Sequence, residues 1–169
     1  NKAGVELNFK LSKLNNTIYE INNFASDLFH NNLYESKSHI KYLKENRGFD
    51  EKTILEFKLG STSNFHNLQK KLLYQFELKD LVASGIFNKN QNSKLFFMNR
   101  IMVPIVNLQN KTLGFGARVI DDSLPKYINS SETKVFKKKQ ILFNERILNK
   151  FSNKKIILVE GYFDVIKLY

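Results

Sequence analysis

Ile156-Ile157-Leu158-Val159-Glu160-Gly161-Tyr162-Phe163-Asp164-Val165 carries the reading of the fold. Four consecutive apolar residues behind Lys154-Lys155 have the pattern of a strand buried on both faces, as in a parallel sheet. Glu160-Gly161 breaks the run, and Phe163–Tyr169 resumes at helical spacing. Such a strand-to-helix junction is where open α/β sheets place ligand sites. Glu160 stands at the carboxyl end of the expected strand, with Asp164 at the start of the expected helix. Two carboxylates so placed suit a divalent cation held through oxygen, and such a cation suits phosphate chemistry. In the plain alternative, Asp164 only stabilises a helix N-terminus and Glu160 caps the strand at the surface.

Working back along the chain, the period is that of strands as far as about residue 93. Leu95–Phe97 and Ile101–Val106 are short strand-type runs, Asn107–Asn110 is a polar turn, and Leu113–Ile120 returns, which predicts a hairpin. Gly114 and Gly116 in the return strand signal a bulge or a close backbone approach. Asp121–Pro125 reads as a turn, Asn129–Thr133 as polar and irregular, and Leu142–Asn149 as a helix. Before residue 93 the spacing is helical. Thr17-Ile18-Tyr19-Glu20 has the spacing of a capping box, followed by Ile21, Phe24, Leu28 and Leu33. A second helix carries Ile40 and Leu43 and stops at Gly48. Asp50 caps a third, with Ile54 and Phe57 inward and Gly60 ending it. A fourth runs through Leu68, Leu72 and Phe76 toward Leu78–Ser84 and Gly85.

Charge points to the partner class. The 169 residues hold 27 Lys+Arg against 16 Asp+Glu, a formal net charge of +11. That surplus favours a polyanion, nucleic acid or an anionic membrane surface, and a Lys- and Asn-rich compositional bias is the bland alternative. Between Lys94 and Gln140 nine basic residues face three acidic ones, so more than half of the surplus lies in under a third of the chain. No apolar run is long enough to span a bilayer. Cys is absent, which excludes disulfides and thiolate zinc sites and fits a reducing cytosol. Asn1-Lys2-Ala3-Gly4 lacks both an initiator Met and a signal-peptide core, so the chain reads as excised from a longer protein.

Several stretches, in order, resemble the catalytic core of bacterial-type replicative DNA primases. Pro125-Lys126-Tyr127-Ile128-Asn129-Ser130-Ser131-Glu132-Thr133, with Phe136 and Lys138 after it, resembles the most distinctive motif of that family. Arg100–Ile105 and Gly114–Val119 resemble its preceding hairpin. Tyr42-Leu43, Arg47-Gly48, Phe57 and Gly60 fall in the family's order. Ile157–Val165 resembles the opening of a Toprim domain. The resemblance runs from roughly residue 15 to the end.

It implies an α/β fold of the mixed (α+β) kind in two parts. Residues 1–153 would be the amino-terminal subdomain of the core, and 154–169 the first strand and helix of a Toprim sheet. It also implies template-directed RNA primer synthesis in DNA replication by a cytoplasmic, replisome-associated nucleotidyltransferase. Its partners would be a single-stranded DNA template, an RNA primer, nucleoside triphosphates and, through a region outside this chain, the replicative helicase.

Carried over residue by residue, Arg47, Arg118, Lys126, Tyr127, Asn129 and Lys138 would line a basic groove. Arg100 is a weaker candidate for the same groove, the alternative role being to orient the hairpin. The residue types suit the task, since Lys and Arg answer phosphate, Tyr stacks on bases, and Asn bonds sugar or phosphate. Lys134, Lys137 and Lys139 fit a solvated basic face.

Glu160 would be a metal ligand or general base, and Asp164 would assist a Mg2+ (or Mn2+) site. The family's later Asp-x-Asp pair has no counterpart here, because no acidic residue follows Asp164. Its zinc module, with Cys ligands, would precede residue 1. The chain alone is therefore expected not to polymerise. A second reading is a non-catalytic single-stranded nucleic-acid-binding remnant, or another Toprim-containing protein. The sequence also departs from the family pattern. Leu95-Phe96-Phe97 replaces Asp-Arg-Phe, which would remove a groove Arg and add apolar surface. Ala117, Lys139 and Asn144 stand where glycines are usual.

Overall fold

The computed structural model describes residues 2–89, 94–150 and 155–169. Helix α1 (Lys2–Glu35) spans 34 residues and is longer than its apolar pattern suggested. Thr17 does not start a helix. It lies inside α1, and its hydroxyl donates to the Lys13 carbonyl one turn back at 3.1 Å, the bond a hydroxyl makes within a running helix. Buried Ile18, Ile21, Ala25, Phe29 and Leu33 form one continuous stripe, so packing along that stripe overrides the local cap signal.

Helix α2 (Lys37–Lys41) runs directly into a π-helical turn at Tyr42–Asn46. Gly48 then turns the chain away at φ 65°. Asp50 caps α3 (Glu51–Glu56), accepting from the Thr53 amide at 2.8 Å. Lys58, at φ 48°, closes that segment in place of the expected Gly60, which instead enters strand β1 (Gly60–Ser61). Helices α4 (Phe65–Gln75) and α5 (Leu78–Ala83) follow as their spacing predicts.

The hairpin forms from β2 (Ile101–Val106) and β3 (Thr112–Arg118), with Val103 opposite Gly116 and an irregularity at Ile105/Val106. β1 flanks β2, and β4 (Tyr127–Asn129) flanks β3, giving an antiparallel sheet in the order β1-β2-β3-β4. The fold is α+β. Leu95–Phe97 forms no strand beyond a bridge from Leu95 to Phe87. Leu95 and Phe97 enter the core with Phe115 and Met102, so the replaced residues add buried rather than exposed apolar area.

Alternation along the strands divides the core. Met102, Phe115 and Ala117 face α1, α4 and α5, packing on Ile21, Phe29, Leu68, Leu72 and Leu81. Ile101 and Val103 face the other way, toward Leu33, Leu43, Phe49, Ile54, Phe163 and Ile166. Asparagines of α1 fix the sheet from the first side. Asn22 Nδ2 donates to the Leu113 carbonyl at 2.9 Å, and Asn23 Oδ1 accepts from the Thr112 amide at 3.0 Å. Such bonds satisfy backbone groups freed at the irregular end of the hairpin.

The expected strand at 156–159 does not form. Ile156, Ile157 and Leu158 are exposed, Leu158 at 75%, and the backbone there is irregular. A strand draws its hydrogen bonds from neighbours, and among the described residues no strand lies alongside this segment. The expected helix at 142–149 is instead a 3-10 helix at Glu145–Lys150, whereas α6 (Tyr162–Leu168) forms as predicted. The expected subdomain boundary at 153/154 lies outside the described residues. No helix among them is long and apolar enough to cross a membrane.

Candidate nucleic-acid interface

The sheet face opposite α1 holds an arginine–tyrosine cluster. Arg118 ends β3 and is paired across the ladder with Tyr127, the first residue of β4. The Arg118 guanidinium lies 4.7 Å from the Tyr127 ring centroid and donates through Nη1 to the Tyr127 hydroxyl. Its Nε donates to the Tyr42 hydroxyl at 2.8 Å. Arg47 reaches the same phenolic oxygen through Nε at 2.9 Å and Nη2 at 2.7 Å. Phe163 of α6 forms the floor, with the two guanidiniums 5.3 and 5.6 Å from its ring centroid. These are cation–π distances.

Close approach of α6 requires Gly116. A Cβ there would stand 2.8 Å from Tyr162 Cδ2 and closer still to the neighbouring ring carbon, so any side chain would drive the helix off the sheet. Tyr162 in turn donates its hydroxyl to Asn129 Oδ1, and burial raises its pKa. Asn129 is thereby committed to a protein contact through its oxygen, leaving the amide NH2 as the group available to a ligand.

Arg100, expected as a weaker groove candidate, points its guanidinium at backbone carbonyls. It is buried, and its Nη1 donates to the Pro125 carbonyl at 3.0 Å and, more weakly, to that of Lys126 at 3.4 Å. Burial lowers its pKa, against the pull of Asp121. The chain leading into β4, which carries the Lys126 and Tyr127 side chains, is thus tied to the residue that precedes β2. Both side chains are exposed, Tyr127 at 43%. Lys138 is exposed on a 3-10 turn, Lys138–Gln140. Among the described residues neither lysine side chain has a hydrogen-bond or ion-pair partner, whereas Lys137 lies 3.7 Å from Glu132.

Glu160 and Asp164 are both exposed, on the segment that carries Phe163. A Cβ on Gly161 would lie 2.6 Å from Asp164 Oδ2, so the carboxylate folds back over the glycine that follows Glu160. The pair fits part of a shell for a hard cation but does not complete one, since magnesium favours six oxygens. Among the described residues no group of three His, Asp or Glu converges on one point.

The structure therefore brings Arg47, Arg118 and Tyr127 together, bonds Asn129 to Tyr162 of α6, and leaves Lys126 and Lys138 as separate exposed cations. Sequence reasoning assigned no role to Tyr42 or Phe163. The Tyr42–Arg47 spacing hid the first, because residues five apart lie about 140° apart around an α-helix. The π turn, with Arg47 N bonded to Tyr42 O at 3.2 Å, brings them onto one side.

Fold and cluster define an α+β module in which half-buried Arg47 and buried Arg118, neither ion-paired among the described residues, lie beside exposed Tyr127, a charge arrangement suited to a polyanion. The family described as "DNA primase catalytic core, N-terminal domain" matches residues 28–149, and the chain belongs to that family. A DNA primase of Rickettsia prowazekii is 42% identical over 128 residues, covering 73% of this chain and 22% of that protein. The primase zinc-binding and RNA polymerase domains of Aquifex aeolicus superpose with a TM-score of 0.82 at 29% identity, over 92% of this chain and 40% of that one. A DnaG primase catalytic domain bound to single-stranded DNA gives 0.81 at 25% identity, over 92% and 50%. The chain spans only 22–30% of the lengths of the curated relatives it matches.

Proposed function

We propose that this chain is the template-groove portion of a DNA primase, an enzyme that synthesises RNA primers on single-stranded DNA. One observation carries the reading. Two guanidiniums stand side by side with neutral phenols and, among the described residues, no carboxylates as their side-chain acceptors. Arg47 is half-buried and Arg118 buried, and with no ion pair among the described residues neither charge is cancelled before it acts on a phosphate. In this reading Arg47, Arg118, Lys126 and Lys138 hold the backbone of the strand, while Tyr127 offers an exposed ring for a base and Asn129 its amide for a sugar or phosphate. Arg100 holds the hairpin beneath them. A solved neighbour with single-stranded DNA bound is in keeping with that choice of ligand.

Glu160 and Asp164 would supply two ligands of a magnesium or manganese site, completed by carboxylates outside this chain. When bound, the ion neutralises phosphate charge during nucleotidyl transfer. Glu160 would act there as ligand or as base toward the attacking hydroxyl, and residues 154–169 would open a Toprim sheet. The chain alone would make no primer. The parent protein would work in the cytoplasm, at the replisome, with nucleoside triphosphates, the RNA primer and a replicative helicase. Zinc would belong to a separate module, in line with the zinc-binding domain of the Aquifex neighbour.

The test is fluorescence anisotropy with labelled single-stranded DNA. Four groove cations, each displacing a condensed counterion, should lower affinity about 50-fold between roughly 50 and 200 mM salt. No binding at low salt, or binding indifferent to salt, would sink the reading.

A further inference from the structure

We infer that Tyr42 is a positioning residue that locks half-buried Arg47 and buried Arg118 into one pair whose charge is not neutralised. The inference rests on the proposed role of Arg47 and Arg118 toward phosphate. Like charges do not assemble unaided, and both guanidiniums lie within 5.8 Å of the same Tyr42 ring centroid. What holds them is the Tyr42 hydroxyl oxygen, which accepts from Arg47 Nε and Nη2 and from Arg118 Nε at 2.7–2.9 Å. Hydrogen bonds with a charged donor are the stronger kind. The ring beneath adds its quadrupole to that of Phe163.

The chemistry of the acceptor matters more than its strength. A carboxylate in the same place would fix both side chains as well, but would cancel one of the two charges. A phenol orients without neutralising. Among the described residues no acidic group lies within ion-pair distance of either guanidinium. The local backbone is shaped for this purpose. Tyr42 opens the π-helical turn, and the wide turn is what sets Arg47 beside the Tyr42 ring. Turns of this kind recur at functional sites. The two arginines also differ. Arg118 has a second side-chain acceptor in the Tyr127 hydroxyl, whereas Tyr42 supplies both side-chain bonds of Arg47.

Tyr42→Phe keeps the ring and removes the oxygen. In NMR spectra of the 169-residue chain, the Nε–H signals of Arg47 and Arg118 should be protected from water exchange. In Tyr42→Phe both should lose that protection. Single-stranded DNA affinity at low salt should fall about tenfold. In an Arg47→Gln/Arg118→Gln background the same change should alter affinity less than about twofold, because Tyr42 then has nothing left to position.

Nε–H protection that survives in Tyr42→Phe would overturn the inference. So would an equal loss of affinity in both backgrounds, since the hydroxyl would then merely support the fold. If the Nε–H signals behave as expected but the chain ignores single-stranded DNA, the lock stands and the proposed function fails.

Discussion

Replacing His39 with asparagine should flatten the dependence of stability on pH between about 7.5 and about 5. His39 is fully buried; its Nδ1 lies 2.6 Å from Ser61 Oγ, and its Nε2 has no partner among the described residues. Burial pushes its pKa down to about 4, and Asp121 pulls only weakly the other way. An unfolded histidine titrates near about 6.5. The folded value is the lower one, so the unfolded chain binds the proton first as pH falls. Stability is therefore lost progressively between about 6.5 and about 4.

Integrating between about pH 7.5 and about pH 5 gives a loss of about 2 kcal/mol. With a urea slope of about 2 kcal/mol per molar, the unfolding midpoint should drop by about 1 M. The exposed carboxylates whose pKa values are lowered, Asp50, Glu51, Glu77 and Asp121, lose their contribution only as pH falls through the carboxylate range, below this window. Asparagine can keep a polar atom near Ser61 and has no ring nitrogen to protonate, so the slope flattens whatever the change in absolute stability. Urea unfolding followed by circular dichroism at both pH values reads this directly. A wild-type midpoint that does not move, or a His39→Asn variant that shows the same drop of about 1 M, would refute the reasoning.

Gly116→Val should lower stability by about 1–3 kcal/mol through overpacking, since even a Cβ there collides with the Tyr162 ring; thermal unfolding checks it. Lys126→Ala and Lys138→Ala should each reduce the salt slope of single-stranded DNA binding by about 0.7, with smaller changes at Lys134 and Lys139, as anisotropy titrations would show. Glu160→Gln in the full-length parent should abolish labelled-nucleotide incorporation and leave single-strand affinity unchanged, because it removes a carboxylate needed for metal or proton that stands exposed and outside the arginine cluster.

What the sequence disclosed follows from how far each signal reaches along the chain. Helical stripes and the hairpin are local patterns, and α3, α4, α5, β2 and β3 lie where those patterns put them. β1 has two residues and β4 three. Pairing to the hairpin defines both of them, and neither carries a periodicity of its own. The run 156–159 failed for the converse reason, because its pattern is strong but no neighbouring strand among the described residues is there to receive it.

Asn144 shows a departure from the family pattern that the backbone explains. It sits at φ 60°, a left-handed conformation that asparagine tolerates better than most side chains. Lys139 lies in a 3-10 turn and is not among the positive-φ residues, so no glycine is needed there. At the site, the family resemblance picked out Arg47, Arg118 and Tyr127. Tyr42 needed the structure, since only a π turn puts it beside Arg47.

The placement of Glu160 has a consequence for how such a site is built. The apolar run before it is exposed, so the carboxylate owes its position to the residues that follow. Tyr162 lies on Gly116 and bonds Asn129, Phe163 packs on Phe49 and under both guanidiniums, and Lys167 Nζ donates to the Arg47 carbonyl at 3.2 Å. Ile166 is buried in the same cluster as Leu43 and Ile54. The two arginines and the carboxylate-bearing helix therefore share one packed unit, although 120 residues separate Arg47 from Lys167. A rotation of α6 must disturb the floor beneath the guanidiniums, and loss of the guanidiniums must expose the Phe163 ring. In the proposed function, phosphate contact and carboxylate placement would thus be mechanically joined.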